Sequence, residues 1–194
     1  MVRGVLRAFL ALDLDASFRR DALALIDELR GERWPRMRWV TPTTMHVTLR
    51  FLGDTDEGLV PALAELVTRL GEAAPRGIEV RSTSLLAFPN ARRARVLVLH
   101  LDDGGVISEL ARIAERDVTA LGFRPEERSF RPHLTLGRLR EPADLRRLFA
   151  TRPAPMAGGR LAAVTLYKSE LGAEAVVHTS LARFSFGSPG ATSG

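Results

Sequence analysis

MHVTLRFL, residues 45–52, and its echo RPHLTLGRL, residues 131–139, decide how this chain is read. Each alternates polar and apolar side chains, the period of a strand with one buried face. Successive side chains of a strand point to opposite faces. His46, Thr48 and Arg50 are therefore expected on one face, with Val47, Leu49 and Phe51 behind them. In the second stretch Arg131, His133 and Thr135 are expected to share a face, anchored by Leu134 and Leu136. Side by side, two such strands would offer two imidazoles, two hydroxyls and two guanidinium groups to one pocket.

Outward from these stretches, VLRAFLALD (5–13) predicts a buried strand. Asp15 or Ser17 can cap a following helix in which Phe18, Ala22, Leu25, Ile26 and Leu29 recur at helical spacing. After the connection ERWPRMRWVTP and the first motif strand, Asp54–Asp56 are expected to open a second helix striped by Leu59, Leu63, Leu66, Val67 and Leu70. A strand follows near 77–87. The second half repeats the order: a strand at 94–101, a helix over 104–121, the second motif strand, a short helix at 142–150, and strands near 160–169 and 174–186. The helix over 104–121 is expected to face inward through Ile107, Leu110, Ala111, Ala114, Val118 and Leu121. The result is an internal pseudo-repeat with one histidine motif per half. No low-complexity linker divides the halves. Residues 1–187 are expected to form a single two-lobed domain, with PNARRAR (89–95) as the loop between lobes and 188–194 as a disordered tail.

Composition narrows the chemistry. The chain has no cysteine, which excludes disulfides, thiolate catalysis and cysteine metal sites. With 26% charged residues and no apolar stretch long enough to span a bilayer, no membrane role is expected, and a cytoplasmic location is. The opening MVRGVLRAFLALDLD alternates and reads as a strand, not a leader. Net charge is +5, and Lys168 is the single lysine among 28 basic residues. Guanidinium groups suit phosphate, although a bias toward arginine would decorate any surface.

The paired motifs suit an in-line displacement at phosphorus without metal. A neutral histidine can take a proton from the attacking water while a protonated one donates to the leaving oxygen, and imidazole titrates near neutrality. Threonine hydroxyls and arginines can hold the non-bridging oxygens. A single H-x-T carries little weight in a chain with 23 serine and threonine residues, and His178-Thr179-Ser180 matches H-x-S by itself. The two strong copies also share a following leucine, a mid-strand place in the repeat and an arginine on the polar face. His178 lacks these companions and is expected to be filler, with His178→Ala harmless. His100, ending a strand before Asp102 and Asp103, is expected to be equally bland.

With these residues in view, the chain resembles the 2H phosphoesterase superfamily, specifically the RNA 2′,3′-cyclic phosphodiesterases, also called 2′-5′ RNA ligases. The resemblance covers nearly the whole chain through RAFLALDL (7–14), RWVTPTTMHVTLRFLGD (38–54), LLAFPNARRARVLVL (85–99), GFRPEERSFRPHLTLGRLR (122–140), LYKSELG (166–172) and LARFSF (181–186). It implies an α+β bilobal fold: two pseudo-symmetric antiparallel sheets with flanking helices around a central cleft. It implies hydrolysis of RNA 2′,3′-cyclic phosphate ends to 2′-phosphates without cofactor or metal, with reversible 2′-5′ ligation, as of tRNA halves, as related chemistry. Carried over, His46 and His133 form the acid/base pair, with His46 as acid and His133 as base, and Thr48 and Thr135 bind phosphate. Arg131 becomes a phosphate contact, Arg50 joins it on the polar face, and Phe130 could stack on a terminal base. Arg36, Arg38, Arg92, Arg93 and Arg95 fall in loops near the groove. His178 stands where relatives often carry an aromatic residue. A monomer is expected. The competing readings are an RNA-end binding module without turnover, a metal-dependent hydrolase, and an enzyme for small cyclic nucleotides.

Overall fold

β1 (Val5–Leu14) is the most apolar strand, and it takes the central place that its composition demands, between β3 (His46–Asp56) and β7 (Gly158–Leu171). Every residue from Ala8 to Leu14 is buried. The computed structural model describes residues 4–31, 35–150, 157–172 and 176–187; the tail expected at 188–194 lies outside them. The architecture is α+β. The remaining elements are α1 (Ala16–Arg30), β2 (Met37–Trp39), α2 (Val60–Ala73), β4 (Ile78–Phe88), β5 (Ala94–Asp102), α3 (Val106–Ala120), β6 (His133–Ala143), α4 (Arg146–Ala150) and β8 (Val176–Ser185).

The helices form as their spacing predicts. Asp15 caps α1 by accepting from the Phe18 amide at 2.7 Å, and Phe18, Ala22, Leu25, Ile26 and Leu29 are the buried face. In α3 the buried face is Ile107, Leu110, Ala111, Ala114 and Val118, while Leu121 is half-buried just beyond the helix. The second helix starts later than expected. β3 runs on to Asp56, whose carboxylate accepts from the Gly58 amide at 2.8 Å in a tight turn, and α2 begins at Val60. β6 likewise persists through Pro142, so α4 begins only at Arg146, and β2 is a short strand hidden in the Pro/Arg-rich connection.

All strands pair antiparallel along the path β2-β6-β5-β4-β7-β1-β3, with β8 added to β7. β4 and β7 join only through Ile78–Arg81 against Leu161–Gly158. That joint separates a β3-β1-β7-β8 half from a β4-β5-β6-β2 half. The halves of the sheet are therefore not the halves of the sequence. β2 and β4 cross to the second motif strand, and β7 and β8 return to the first. Residues 89–93 do not pass between lobes; they close the β4–β5 hairpin, in which Phe88 faces Val96. A short hairpin costs little closure entropy, which favours that partner. β3 ends the path and β6 stands next to its other end, yet their Cα atoms approach within 8 Å. The sheet thus bends to bring the two motif strands together over one continuous hydrophobic core.

Candidate active site

Both motif strands anchor themselves as the alternation predicts: Val47, Leu49, Leu134 and Leu136 are buried, while His46, Thr48, His133 and Thr135 are partly exposed. Alternation then breaks at the same place in each. In the β1–β3 ladder Leu10 faces Arg50 and Ala11 faces Thr48, which leaves Leu49 without a partner. In the β5–β6 ladder Leu97 faces Gly137 and Val98 faces Thr135, which leaves Leu136 without one. The leucine that follows each H-x-T is a β-bulge, and a bulge re-aims the side chains beyond it.

The bulge corrects the expected placement of Arg50. Its guanidinium turns to α3 and the loop that follows that helix: Nε is 2.5 Å from Glu115 Oε2, Nη2 donates to the Arg124 carbonyl at 2.5 Å, and Nη1 donates to the Phe51 carbonyl. Phe51 continues the polar face instead. Its ring lies 6.0 Å from that of Phe9, which is itself 4.8 Å from His46. In β6 the same shift buries Gly137 and exposes Arg138. A Cβ on Gly137 would stand 2.7 Å from Met37 Sδ, so glycine lets β2 close over the bulge. The Arg138 guanidinium makes no hydrogen bond or ion pair among the described residues, and its charge bears on both motif histidines. Strict alternation hides this arginine; a glycine inside an apolar strand was the signal that could have found it.

Each histidine is held by the carbonyl two residues before it. His133 Nδ1 lies 2.7 Å from the Arg131 carbonyl, and His46 hydrogen-bonds that of Thr44. A ring nitrogen bound to a carbonyl must carry its proton, so neutral His133 leaves Nε2 as acceptor. The Phe88 ring meets His133 edge-on at 5.1 Å. Burial lowers the pKa of His133, with the Arg138 and His100 charges adding to it and the Arg131 carbonyl opposing. His46 is pushed down to about 4, by burial first, then His178 and Arg138, against the Thr44 carbonyl and Asp13. Asp13, buried beside His46 in the β1–β3 register, accepts from Thr165 Oγ1 at 2.9 Å, Tyr167 Oη at 2.7 Å and Arg183 Nε at 3.1 Å. Burial, with Asp13 behind it, lifts the Tyr167 phenol to about 12.

The two other histidines, expected to be bland, are both in the site. His100 stands directly across from His133 in the β5–β6 ladder, its Nδ1 2.8 Å from the Thr83 hydroxyl. His178, on β8, meets the His46 ring at 5.4 Å and 79°. Sequence distance concealed both.

A cavity of about 1100 Å³ opens beside these strands, lined by Thr48, Arg50 and Phe51 of β3, by Phe88 and Pro89, by α3, and by Arg128, Phe130, Arg131 and His133. His46 and Thr135 are not part of its wall. Neither motif threonine hydroxyl has a hydrogen-bond partner among the described residues. Arg112 and Arg116 on the α3 wall are paired with Glu109 at 2.6 Å and Asp117 at 2.7 Å. Of the loop arginines, Arg38 stands across from Arg138 in the β2–β6 ladder, whereas Arg36, Arg92, Arg93 and Arg95 do not line the cavity. No three His, Asp or Glu side chains among the described residues come together as a metal-ligand set.

The sequence profile of the LigT-like phosphoesterases matches residues 12–98 and 102–178, with one motif strand in each segment. The chain belongs to the LigT-like phosphoesterase family. An RNA 2′,3′-cyclic phosphodiesterase from Methanothermobacter thermautotrophicus is 32% identical over 183 residues, covering 92% of this chain and 97% of the relative. Another from Archaeoglobus fulgidus is 31% identical over 75% of this chain and 82% of its own. Among solved structures, TT0787 of Thermus thermophilus superposes with a TM-score of 0.75 at 25% identity, over 94% of this chain and 99% of that one. E. coli LigT complexed with 3′-AMP shares the fold at a TM-score of 0.70 and 23% identity, over 94% and 99% of the two chains. As a LigT-like phosphoesterase, the chain is a two-motif fold in which the exchange of strands between halves sets the motifs face to face. Among the described residues no helix is long and apolar enough to cross a membrane.

Proposed function

We propose that this LigT-like phosphoesterase hydrolyses RNA 2′,3′-cyclic phosphate ends to 2′-phosphates by a two-histidine mechanism that needs no metal. The observation that carries this reading is the matched pair His46 and His133, each held by an i−2 carbonyl and both within reach of the Arg138 charge. His133 Nε2 takes a proton from water, whose oxygen attacks phosphorus. The bond from phosphorus to the 3′ oxygen breaks, and His46 protonates that oxygen, leaving a 3′-hydroxyl and a 2′-phosphate. A lowered pKa makes protonated His46 a strong donor, and the arriving phosphate charge, with Asp13 behind the ring, favours the protonated form. Thr48, Thr135, Arg131 and Arg138 hold the non-bridging oxygens. Arg50, committed to Glu115 and two carbonyls, fixes the cavity wall instead of touching phosphate. Phe130 and Phe51 offer faces for a terminal base. At about 1100 Å³ the cavity lies just above the roughly 300–1000 Å³ usual for small-molecule sites, which favours an RNA end over a mononucleotide.

Purified protein in excess chelator is given a 2′,3′-cyclic nucleotide and a cyclic-phosphate-ended oligonucleotide in parallel. Both should yield only the 2′-phosphate, and His46→Ala or His133→Ala should each lose about 10²–10⁴-fold in kcat. A 3′-phosphate product, or activity lost to the chelator, defeats the mechanism; tight binding without product would point to an RNA-end binding module.

A further inference from the structure

His178 has no place in that mechanism, yet it lies against the acid. Its ring stands edge-on to His46 (5.4 Å, 79°) and edge-on to Phe9 (4.9 Å, 75°), while Phe9 lies over His46 at 4.8 Å and stacks on Tyr167 at 5.3 Å. Four rings from β1, β3, β7 and β8 therefore form one cluster, in which His46, Phe9 and His178 pack against one another in a triangle. The Nδ1 atom of His178 is buried and has no hydrogen-bond partner among the described residues. A buried imidazole N–H without an acceptor is costly, so the ring prefers the neutral tautomer with its proton on Nε2. A second positive charge beside a protonated His46 would meet both that cost and direct repulsion.

We propose that His178 is a positioning residue for His46: it packs the His46 ring against Phe9 and lets only one of the two imidazoles carry a proton at a time. This rests on the phosphodiesterase reading, in which the orientation and proton of His46 matter. That packing leaves the His46 ring little freedom to swing, which keeps one nitrogen on the Thr44 carbonyl and fixes the direction of the other. The pairing keeps the site at a single added proton. The other charged or titratable groups around the pair are Asp13 on β1, Tyr167 on β7, Arg183 on β8 and Arg138 on β6. Asp13 is already bonded to Tyr167, Thr165 and Arg183, so it does not take over the role of His178.

Wild type is compared with His178→Phe, which fills the same volume with a ring but cannot titrate, and with His178→Ala, which removes both ring and charge. The His46 titration is read by NMR in substrate-free protein. It should move to higher pH in His178→Phe, and the inflection of the kcat/KM profile that reports loss of the His46 proton should move with it. In His178→Ala kcat should fall about tenfold at nearly unchanged KM, the cost of a misaligned catalytic group, and His178→Phe should recover most of that loss. Thermal unfolding separates this from a folding defect. An identical His46 titration in wild type and His178→Phe, or an undiminished kcat in His178→Ala, overturns the proposal. A wild-type protein that opens no cyclic phosphate would defeat the functional reading, while the NMR comparison would still decide whether the two imidazoles are coupled.

Discussion

At the residue scale, the site is governed by imidazoles held neutral. His46, His133 and His178 all have folded pKa values below the ordinary one, with burial the first cause in each. As pH falls, the unfolded chain takes up these protons first. The histidines therefore cost no stability above pH ~6.5 and progressively destabilise the fold below it. Carboxylates titrate lower still, so a fall in unfolding temperature between about pH 7 and about pH 5 should be attributable to the histidines. His46→Gln should flatten that slope, and an unchanged slope would show that the His46 ring is not so buried in solution. Arg138 makes a second claim at this scale. Arg138→Ala should cut kcat/KM by about 10²-fold, the usual cost of losing one oxyanion donor. It should also raise the pKa of both motif histidines, since each loses a like charge. Loss of activity with unmoved histidine titrations would place Arg138 away from the pair.

At the element scale, the strands and helices were legible because burial enforces their period. The buried stripe of α1 is the set of residues that recur at helical spacing, and the anchors of β3 and β6 are the alternating leucines and valine. What alternation could not reveal is a bulge, because one unpaired residue reverses every face beyond it. Arg138, for which the alternation gave no role, stands beside the histidines while Arg50 turns to α3 for that reason. Packing between elements sets another limit. A Cβ added to Gly71 of α2 would stand 2.1 Å from the Phe184 ring of β8. Gly71→Ala should therefore destabilise the protein by up to about 2 kcal/mol, since overpacking at ~1–3 kcal/mol is set against a helix-propensity gain of roughly 1 kcal/mol. Urea unfolding checks this, and a stabilised variant would mean that β8 yields easily.

At the scale of the molecule, charge bears on the substrate. Arg128 and Arg131 line the cavity mouth, and neither guanidinium forms an ion pair among the described residues. If an RNA strand runs across them, log kcat/KM for a cyclic-phosphate oligonucleotide should fall with log salt more steeply than for a cyclic mononucleotide, by roughly 0.7 for each additional phosphate contacted. Equal slopes would favour the small cyclic nucleotide as substrate. The path of the sheet is also a property of this scale. Local pattern marks each strand, but partner choice depends on which edges meet after the chain collapses, and here β2, β4, β7 and β8 all leave their sequence half.

Residue order along the chain is enough to single out the two H-x-T strands, to bury β1 and to place the helical stripes, because these depend on the succession of apolar and polar residues within one element. It does not say that Arg138 replaces Arg50 beside the histidines, or that His100 and His178 join them. Those placements depend on bulges and on pairing between strands far apart in the chain, and the spacing of residues within one strand does not record which strand will lie alongside it.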